Sequence, residues 1–114
     1  MSYGVIRNAI VGRRCVSAYY DGGTRHFTPH SLGRDKVDDY TVMVFQYGGY
    51  CAHELPASGQ WLCIRLEKMA GAQINEDPWQ RGQDFTRPRT CVTQIEISVQ
   101  PERPIPAKTS LRLS

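Results

Sequence analysis

Residues 21–33 read Asp-Gly-Gly-Thr-Arg-His-Phe-Thr-Pro-His-Ser-Leu-Gly, and this stretch decides the fold class. Asp21-Gly22-Gly23 is turn chemistry, because glycine adopts the positive φ of a tight hairpin without steric cost. Cys15–Tyr20, before the turn, is rich in small, β-branched and aromatic residues and predicts a strand. Arg25–Pro29 predicts the return strand, which ends or lies at a sheet edge at Pro29 because proline has no N–H to donate. The stretch therefore predicts a β-hairpin.

The return strand also contains the candidate binding residues. With a period of two, Arg25, Phe27 and Pro29 share one face, and His26 and Thr28 share the other. Arg25 and His30 then lie near one end of a small sheet, where both are expected to face the same bound group. No catalytic signature is present in the stretch, so it indicates a binding module.

The rest of the chain extends this β-rich pattern. A short helix is predicted over Tyr3–Arg13 because its apolar residues form one stripe. The polar segment Ser31–Asp39 is expected to be a loop, and Tyr40–Tyr47, apolar on both faces, predicts a central strand covered on both sides. Further strands are predicted at Gln60–Lys68 and Cys91–Val99. Cys51–Gly59 is expected to be a loop or an irregular strand, and 69–90 a polar loop.

These elements predict a mainly β protein, a small partly open β-barrel of about five strands with one N-terminal helix across an end. The predicted core consists of Val5, Ile6, Ala9, Ile10, Val16, Ala18, Phe27, Val42, Val44, Leu62, Ile64, Leu66, Ile95 and Ile97. Residues 1–100 are expected to form a single domain. Residues 101–114 form a proline-containing tail that is expected to be either mobile or, slightly favoured, to cross a subunit interface.

Charge and cysteine content bear on partners and location. The net charge is +3, and arginines outnumber lysines among the basic residues, which suits recognition of phosphate or carboxylate. Cys15, Cys51, Cys63 and Cys91 form no Cys-x-x-Cys pair, so no zinc ribbon or thioredoxin-like motif is supported. The first residues do not read as a secretion signal and no stretch approaches a membrane span. We therefore expect a cytoplasmic protein with reduced thiols.

With its elements placed, the chain resembles the WYL domain family, in particular small stand-alone members. The resemblance covers residues 3–70 and rests on Tyr20, the Arg25-x-Phe27-x-Pro29-His30-x-x-Gly33 run, the strand Tyr40–Gln46 and the segment Trp61–Met69. It departs from the family at the Trp-Tyr-Leu signature, which is Asp39-Tyr40-Thr41 here. Leu62 also replaces an arginine expected after Trp61, and Ile64 replaces an aromatic residue.

The resemblance implies an SH3-like or Sm-like barrel that senses or binds nucleotides or nucleic acid, in transcription regulation or defence against mobile elements. The ligand is expected to be phosphate-bearing, a nucleotide or single-stranded nucleic acid, with Arg25 and His30 contacting the anion. Tyr20 and Trp61 are candidate stacking surfaces, and Arg65 completes the predicted ligand-binding set. Gln46, the amide of an otherwise apolar strand, either reads the ligand or holds a neighbouring loop.

Other interpretations stay open at this point. A protein–protein interaction module or small homo-oligomer without a nucleotide ligand is the alternative, assembled through the edge of the Tyr40–Tyr47 strand or through the tail. Arg81, Arg87 and Arg89, with Trp79 and Phe85 between them, resemble a loop that contacts nucleic acid. No enzyme, cofactor or metal is predicted, although His26, His30 and His53 are the residues that a metal ion would need.

Overall fold

The computed structural model describes residues 2–51, 55, 59–82 and 91–99. Within these residues the chain forms one α-helix, α1 (Tyr3–Gly12), and six strands. The strands are β1 (Val16–Tyr20), β2 (Gly23–Arg34), β3 (Tyr40–Gly49), β4 (Gln60–Arg65), β5 (Met69–Ile74) and β6 (Gln94–Ser98), with a short 3-10 helix at Leu66–Lys68 between β4 and β5.

All strand pairs are antiparallel and form one sheet. The order is β4-β3-β2-β1-β5, and β6 pairs with β2 beside β1. Helix α1 packs mainly on β2, β5 and β6 and buries Ile6, Ala9 and Ile10. This architecture confirms the predicted mainly β class, a small partly open barrel with one N-terminal helix. β3 lies between β2 and β4, as its apolar sequence predicts.

β2 is longer than predicted and runs through Pro29 to Arg34. It pairs with β1 up to Phe27 and with β6 from Ser31 on the same side. Between these two partners, around Pro29 and His30, the register with β3 also shifts. A proline is tolerated there because no ladder partner needs its missing N–H. The prediction of a loop over Ser31–Asp39 is therefore wrong for its first four residues, which belong to β2. The loop between β2 and β3 begins only after Arg34.

Two further elements differ from the prediction. Met69–Ile74, expected to be loop, is strand β5, paired with β1 through a bulge at which Gly71 has φ 63°. Its residues are mostly exposed, so it lacks the apolar pattern that marks a strand. The final strand is shorter than Cys91–Val99, and Ile95, placed in the core by its alternation, is 52% exposed. A register shift in the pairing of β6 with β2 breaks that alternation.

The core lies between α1 and the concave face of the sheet. It contains ten of the predicted residues, namely Ile6, Ala9, Ile10, Val16, Ala18, Phe27, Val42, Val44, Ile64 and Leu66, and adds Leu32 and Met69. Leu62 and Ile97 pack partly buried against it. The opposite face of the sheet, here called the outer face, carries Thr28, Phe45 and Trp61, which are cross-strand neighbours on β2, β3 and β4.

The expectation of reduced thiols is wrong for two of the four cysteines. Cys63 on β4 and Cys91, ahead of β6, form a disulfide with their Cα atoms 6.4 Å apart. The pair is separated by 28 residues, so spacing gave no sign of it. Cys15 and Cys51 are free thiols, and Cys15 is buried.

Within the described part of the chain, no helix is long and apolar enough to span a membrane. The predictions for His53, Phe85, Arg87, Arg89 and the tail from 101 fall outside the described residues.

Candidate anion-binding site

Arg25 is a buried arginine at the start of β2, and only 4% of its surface is exposed. Its Nε donates a hydrogen bond to the carbonyl of Tyr20 at 3.0 Å, and its Nη2 donates to the carbonyl of Asp21 at 3.3 Å. Both acceptors belong to the β1–β2 turn. The tight hairpin that the glycines allow therefore turns backbone oxygens toward the guanidinium and holds it in place.

Gln46 lies in β3 beside Arg25 and is fully buried. Its Oε1 accepts hydrogen bonds from Nη1 of Arg25 and from Nε2 of Gln60, each at 3.3 Å. Its Nε2 donates to the carbonyls of Gly48 at 3.0 Å and Tyr50 at 2.7 Å. The side-chain amide is thus satisfied at both ends. Gln46 thus links Arg25 to the turn after β3, which is one of the two roles that the sequence leaves open.

Two tyrosine rings flank the guanidinium. The Cζ atom of Arg25 lies 4.9 Å from the ring centre of Tyr20 and 5.6 Å from that of Tyr50. Both distances are within the range of cation–π attraction. Tyr50 rests on the hairpin glycines: a Cβ built on Gly23 would lie 2.5 Å from its Cβ and Cγ atoms. Tyr50 is 42% exposed, so the ring lies between the described solvent-facing surface and a guanidinium that is itself buried.

We name Tyr20, Arg25, Gln46 and Tyr50 the Arg25 cluster. Tyr50 was not among the predicted site residues. The only sequence cue for Tyr50 is its position directly after Gly48-Gly49. That cue becomes informative only when the register of β2 and β3 is known, because the register brings this turn next to the glycines of the β1–β2 turn. That register places Arg25 opposite Gly49.

The charge of Arg25 has no counter-ion among the residues that the structure describes. Asp21 contacts it through the backbone carbonyl, and its other hydrogen bonds end on neutral oxygens. Three of the five guanidinium N–H donors have acceptors within the described ranges. A buried guanidinium held by neutral acceptors is costly to desolvate and attracts an anion strongly. The Arg25 cluster can therefore bind a phosphate or carboxylate group once Tyr50 gives access.

His30 and Trp61 belong to a different place in the molecule. His30 is 3% exposed; its ring centre lies 4.9 Å from Trp61 and 5.1 Å from Trp79, and Trp61 also packs on Phe45. We name these four residues the aromatic cluster, and it lies on the outer face. The structure thus corrects the expectation that Arg25 and His30 face one bound group. His30 follows Thr28 by two residues and lies on the same face of β2, where its Nε2 is 3.0 Å from Thr28 Oγ1.

Arg65 is likewise apart from the Arg25 cluster. It is exposed at the end of β4, where its Nε lies 3.6 Å from Asp35 Oδ2 and its Nη1 lies 3.7 Å from Asp39 Oδ2. Both carboxylates belong to the β2–β3 loop, so Arg65 fixes that loop to β4. Of the six predicted ligand residues, the structure brings together Tyr20, Arg25 and Gln46.

A polar network occupies the outer face at its other end. Ser17 Oγ lies 2.7 Å from His26 Nδ1 and accepts a hydrogen bond from Asn75 Nδ2 at 2.8 Å. The same amide group donates to the Tyr47 hydroxyl, which donates to Asp77 at 2.6 Å. Burial and the Asp77 carboxylate raise the pKa of Tyr47 above its ordinary value. The network ties β1, β2 and β3 to the segment after β5.

Two of the three histidines that a metal site would need, His26 and His30, have described positions and lie in different clusters. His26 contacts Ser17 and Tyr47, whereas His30 lies in the aromatic cluster. Among the residues with described positions, no group of three metal-ligating side chains occurs.

No protein-family model, curated protein or solved structure matches this chain.

Proposed function

We propose that this protein is a non-enzymatic binding module for a phosphate-bearing ligand, with Arg25 as the group that binds the anion. The observation that carries the proposal is the buried Arg25 guanidinium, whose hydrogen bonds to the described residues all end on neutral oxygens, next to an exposed tyrosine. A phosphate that reaches the guanidinium would supply a negative charge, which none of its partners among the described residues carries. Charge-assisted hydrogen bonds of this kind are about twice as strong as neutral ones.

The ligand class follows from what surrounds the guanidinium. Tyr50 and Tyr20 offer ring faces on which a nucleobase can stack, and stacking tolerates any base. A nucleotide or a single-stranded nucleic acid combines both features, an anion for Arg25 and a flat ring for Tyr50. A regulatory or defence role, implied by the WYL resemblance, belongs to the same proposal.

The test compares binding of inorganic phosphate, a nucleoside monophosphate and a labelled single-stranded oligonucleotide to three proteins. These are the unmodified chain, Arg25→Gln, and Arg7→Ala, which removes an exposed arginine of α1 as a matched charge control. We expect Arg25→Gln to abolish binding and Arg7→Ala to preserve it, with circular dichroism confirming that both are folded. Binding of the oligonucleotide should weaken steeply with salt, because neutralised phosphates release counterions. Equal binding by all three proteins would exclude Arg25 as the anion site.

A homo-oligomer is the second candidate, and β5 is the strand that favours it. Its residues carry no charge, and in the described part of the chain it pairs only with β1. The predicted route through the edge of Tyr40–Tyr47 is not available, because β3 has a partner strand on each side. Light scattering of the unmodified chain and of Ala70→Lys, an exposed β5 position, tests this candidate. A dimer that dissociates in the variant supports it, and a monomer at all concentrations excludes it.

A cytoplasmic location is also part of the proposal, since nucleotides and nucleic acids are abundant there. In that compartment a disulfide is usually transient and redox-sensing. If the protein is cytoplasmic, the Cys63–Cys91 disulfide is therefore expected to be a transient, redox-sensing bond.

A further inference from the structure

The outer face of the sheet is exposed where β5, β1 and the start of β2 lie side by side. Tyr19 of β1 is 51% exposed, and the register places it between Ala70 of β5 and Thr24 of β2, which are exposed as well. Because alternate residues of a strand share a face, the same surface continues with the half-buried pair Ser17 and His26. We name this surface the Tyr19 platform, and its residues are Ser17, Tyr19, Thr24, His26, Ala70 and Gln73.

The platform is uncharged. Its six residues include no carboxylate, ammonium or guanidinium group. Protein interfaces are enriched in tyrosine and depleted of charged residues at their centre. A flat, uncharged sheet face with an exposed aromatic ring is therefore typical of a binding surface.

A row of three rings crosses the platform and continues onto β3. Tyr19 is opposite Thr24, so His26, two residues further along β2, is its diagonal neighbour. The ring of His26 in turn lies 6.4 Å from the ring of Tyr47, and the two planes differ by 33°. Neighbouring strands are about 4.8 Å apart, so the row spans about 10 Å from β1 to β3. This length suits several flat groups in succession rather than a single one.

The polar network on the outer face fixes two of these rings. Ser17 Oγ lies 2.7 Å from His26 Nδ1, and the Tyr47 hydroxyl is hydrogen-bonded to Asn75 and Asp77. A side chain that is already held in one orientation loses little conformational freedom when a ligand binds. The network thus preorganises His26 and Tyr47 for contact with a flat ligand.

The platform adjoins the Arg25 cluster at the β1–β2 turn. Tyr19 and Tyr20 are consecutive, so their side chains lie on opposite faces of β1, and the Tyr20 carbonyl accepts the hydrogen bond from Arg25 Nε. Thr24, the cross-strand partner of Tyr19, accepts the backbone N–H of Tyr50 at 2.8 Å. A polymer with an anionic backbone and flat, neutral groups can therefore place a phosphate at Arg25 and its flat groups on the platform.

We propose that the Tyr19 platform is the surface on which a single-stranded nucleic acid stacks about two or three successive bases, with Tyr19 as the first ring. This assignment rests on the proposed function, because it takes Arg25 as the group that binds a phosphate, and it narrows the ligand from any nucleotide to a polymer. A mononucleotide is too short to cover the row of rings. A second copy of this chain would present the same uncharged face and leave the charge of Arg25 unused.

The experiment measures the dissociation constants of thymidine monophosphate and of an oligothymidylate of about eight nucleotides. The full-length proteins are the unmodified chain, Tyr19→Ala, Tyr19→Phe and Ile95→Ala, which shortens a side chain of similar exposure opposite Gly33, at the other end of β2. We expect Tyr19→Ala to weaken oligothymidylate binding by about ten-fold or more and to leave mononucleotide binding unchanged. Tyr19→Phe keeps the ring, so it should bind both ligands like the unmodified chain, as should Ile95→Ala.

Photocrosslinking of the unmodified chain to an oligonucleotide that contains 5-iodouracil gives a second reading that does not depend on the folding of any variant. We expect crosslinks at Tyr19 or His26. Crosslinks confined to Tyr20 and Tyr50 would overturn the platform.

The remaining outcomes separate this assignment from the proposed function. An oligothymidylate that binds no more tightly than the mononucleotide, or that binds Tyr19→Ala equally well, would overturn the platform and leave Arg25 as the anion site. Failure of both ligands to bind the unmodified chain would overturn the proposed function and the platform together. A dimer in light scattering that dissociates in Tyr19→Ala and does not bind the oligothymidylate would assign the platform to a second copy instead.

Discussion

Arg25 Nη1 donates a hydrogen bond to Gln46 Oε1 across the β2–β3 pair, and neither side chain is exposed by more than 4%. The two residues belong to strands whose other core positions are apolar. Gln46 Oε1 is the described acceptor for Nη1 of Arg25 and also accepts a hydrogen bond from Gln60. The pair also connects two turns, because Arg25 is bonded to the β1–β2 turn and Gln46 to the turn after β3.

Gln46→Leu tests this dependence. Leucine has a similar volume but leaves Nη1 of Arg25 and the carbonyls of Gly48 and Tyr50 without this partner. We expect the free energy of unfolding to fall by about 2–4 kcal/mol, since each unsatisfied buried polar group costs about 1–3 kcal/mol. Gln73→Leu, at an exposed position of β5, is the control and should be nearly neutral. Urea unfolding of both variants measures the difference, and equal midpoints would contradict the role given to Gln46.

Gly23→Ala should displace Tyr50 from the Arg25 cluster. The added Cβ would lie 2.5 Å from two atoms of Tyr50, too close for any real pair of carbons. The side chain of Tyr50 must therefore move, and we expect greater exposure of Arg25 together with lower stability. Gly4→Ala, with nothing within 4 Å of its Cβ in α1, should instead stabilise by up to about 1 kcal/mol. A crystal structure or the near-ultraviolet circular dichroism spectrum of Gly23→Ala measures the position of Tyr50. A Tyr50 side chain that has not moved would refute this prediction.

Removal of the disulfide should lower the stability of the whole chain. For a separation of 28 residues, the chain-entropy model gives about 3–4 kcal/mol for Cys63→Ser/Cys91→Ser. Denaturant unfolding with and without reductant measures this: the unmodified chain should lose stability on reduction, and the double variant should not respond. A response of equal size in both proteins would place the effect on another cysteine.

Acid stability should depend on Asp35. Its carboxylate accepts the backbone N–H groups of Asp39 and Val37, and these bonds, with the positive charge of Arg65, lower its pKa below the ordinary value. A lowered pKa means that the ionised group stabilises the fold above the unfolded-state pKa of about 4 and that this contribution disappears as pH falls through the folded-state value. We expect Asp35→Asn to lose less stability than the unmodified chain below pH ~4. Thermal melts across pH 2–7 measure this, and parallel curves would contradict it.

Much of the fold was predictable because local chemistry and hydrophobic period determine it. The glycines after Asp21 define the hairpin, the apolar run of β3 marks a central strand, and the stripe of α1 marks a helix that covers the core. Strand β5 and the end of β2 were not predictable in this way. β5 is held by pairing with β1 rather than by its own pattern, and β2 continues past Pro29 because its neighbour changes from β1 to β6 at that point.

The candidate site likewise combines features that the sequence predicts with features that only the tertiary structure shows. Residue type alone singled out Arg25 and Gln46, because charged and amide side chains are rare and costly between apolar neighbours in a strand. Only the tertiary structure decided that Tyr50 joins them, that His30 packs on Trp61 and Trp79, and that Arg65 pairs with the β2–β3 loop. The Cys63–Cys91 disulfide is likewise visible only in the tertiary structure, because the two cysteines are 28 residues apart in the sequence. Periodicity reports which side of its own strand a residue occupies, whereas register, bulges and loop closure decide what that side faces.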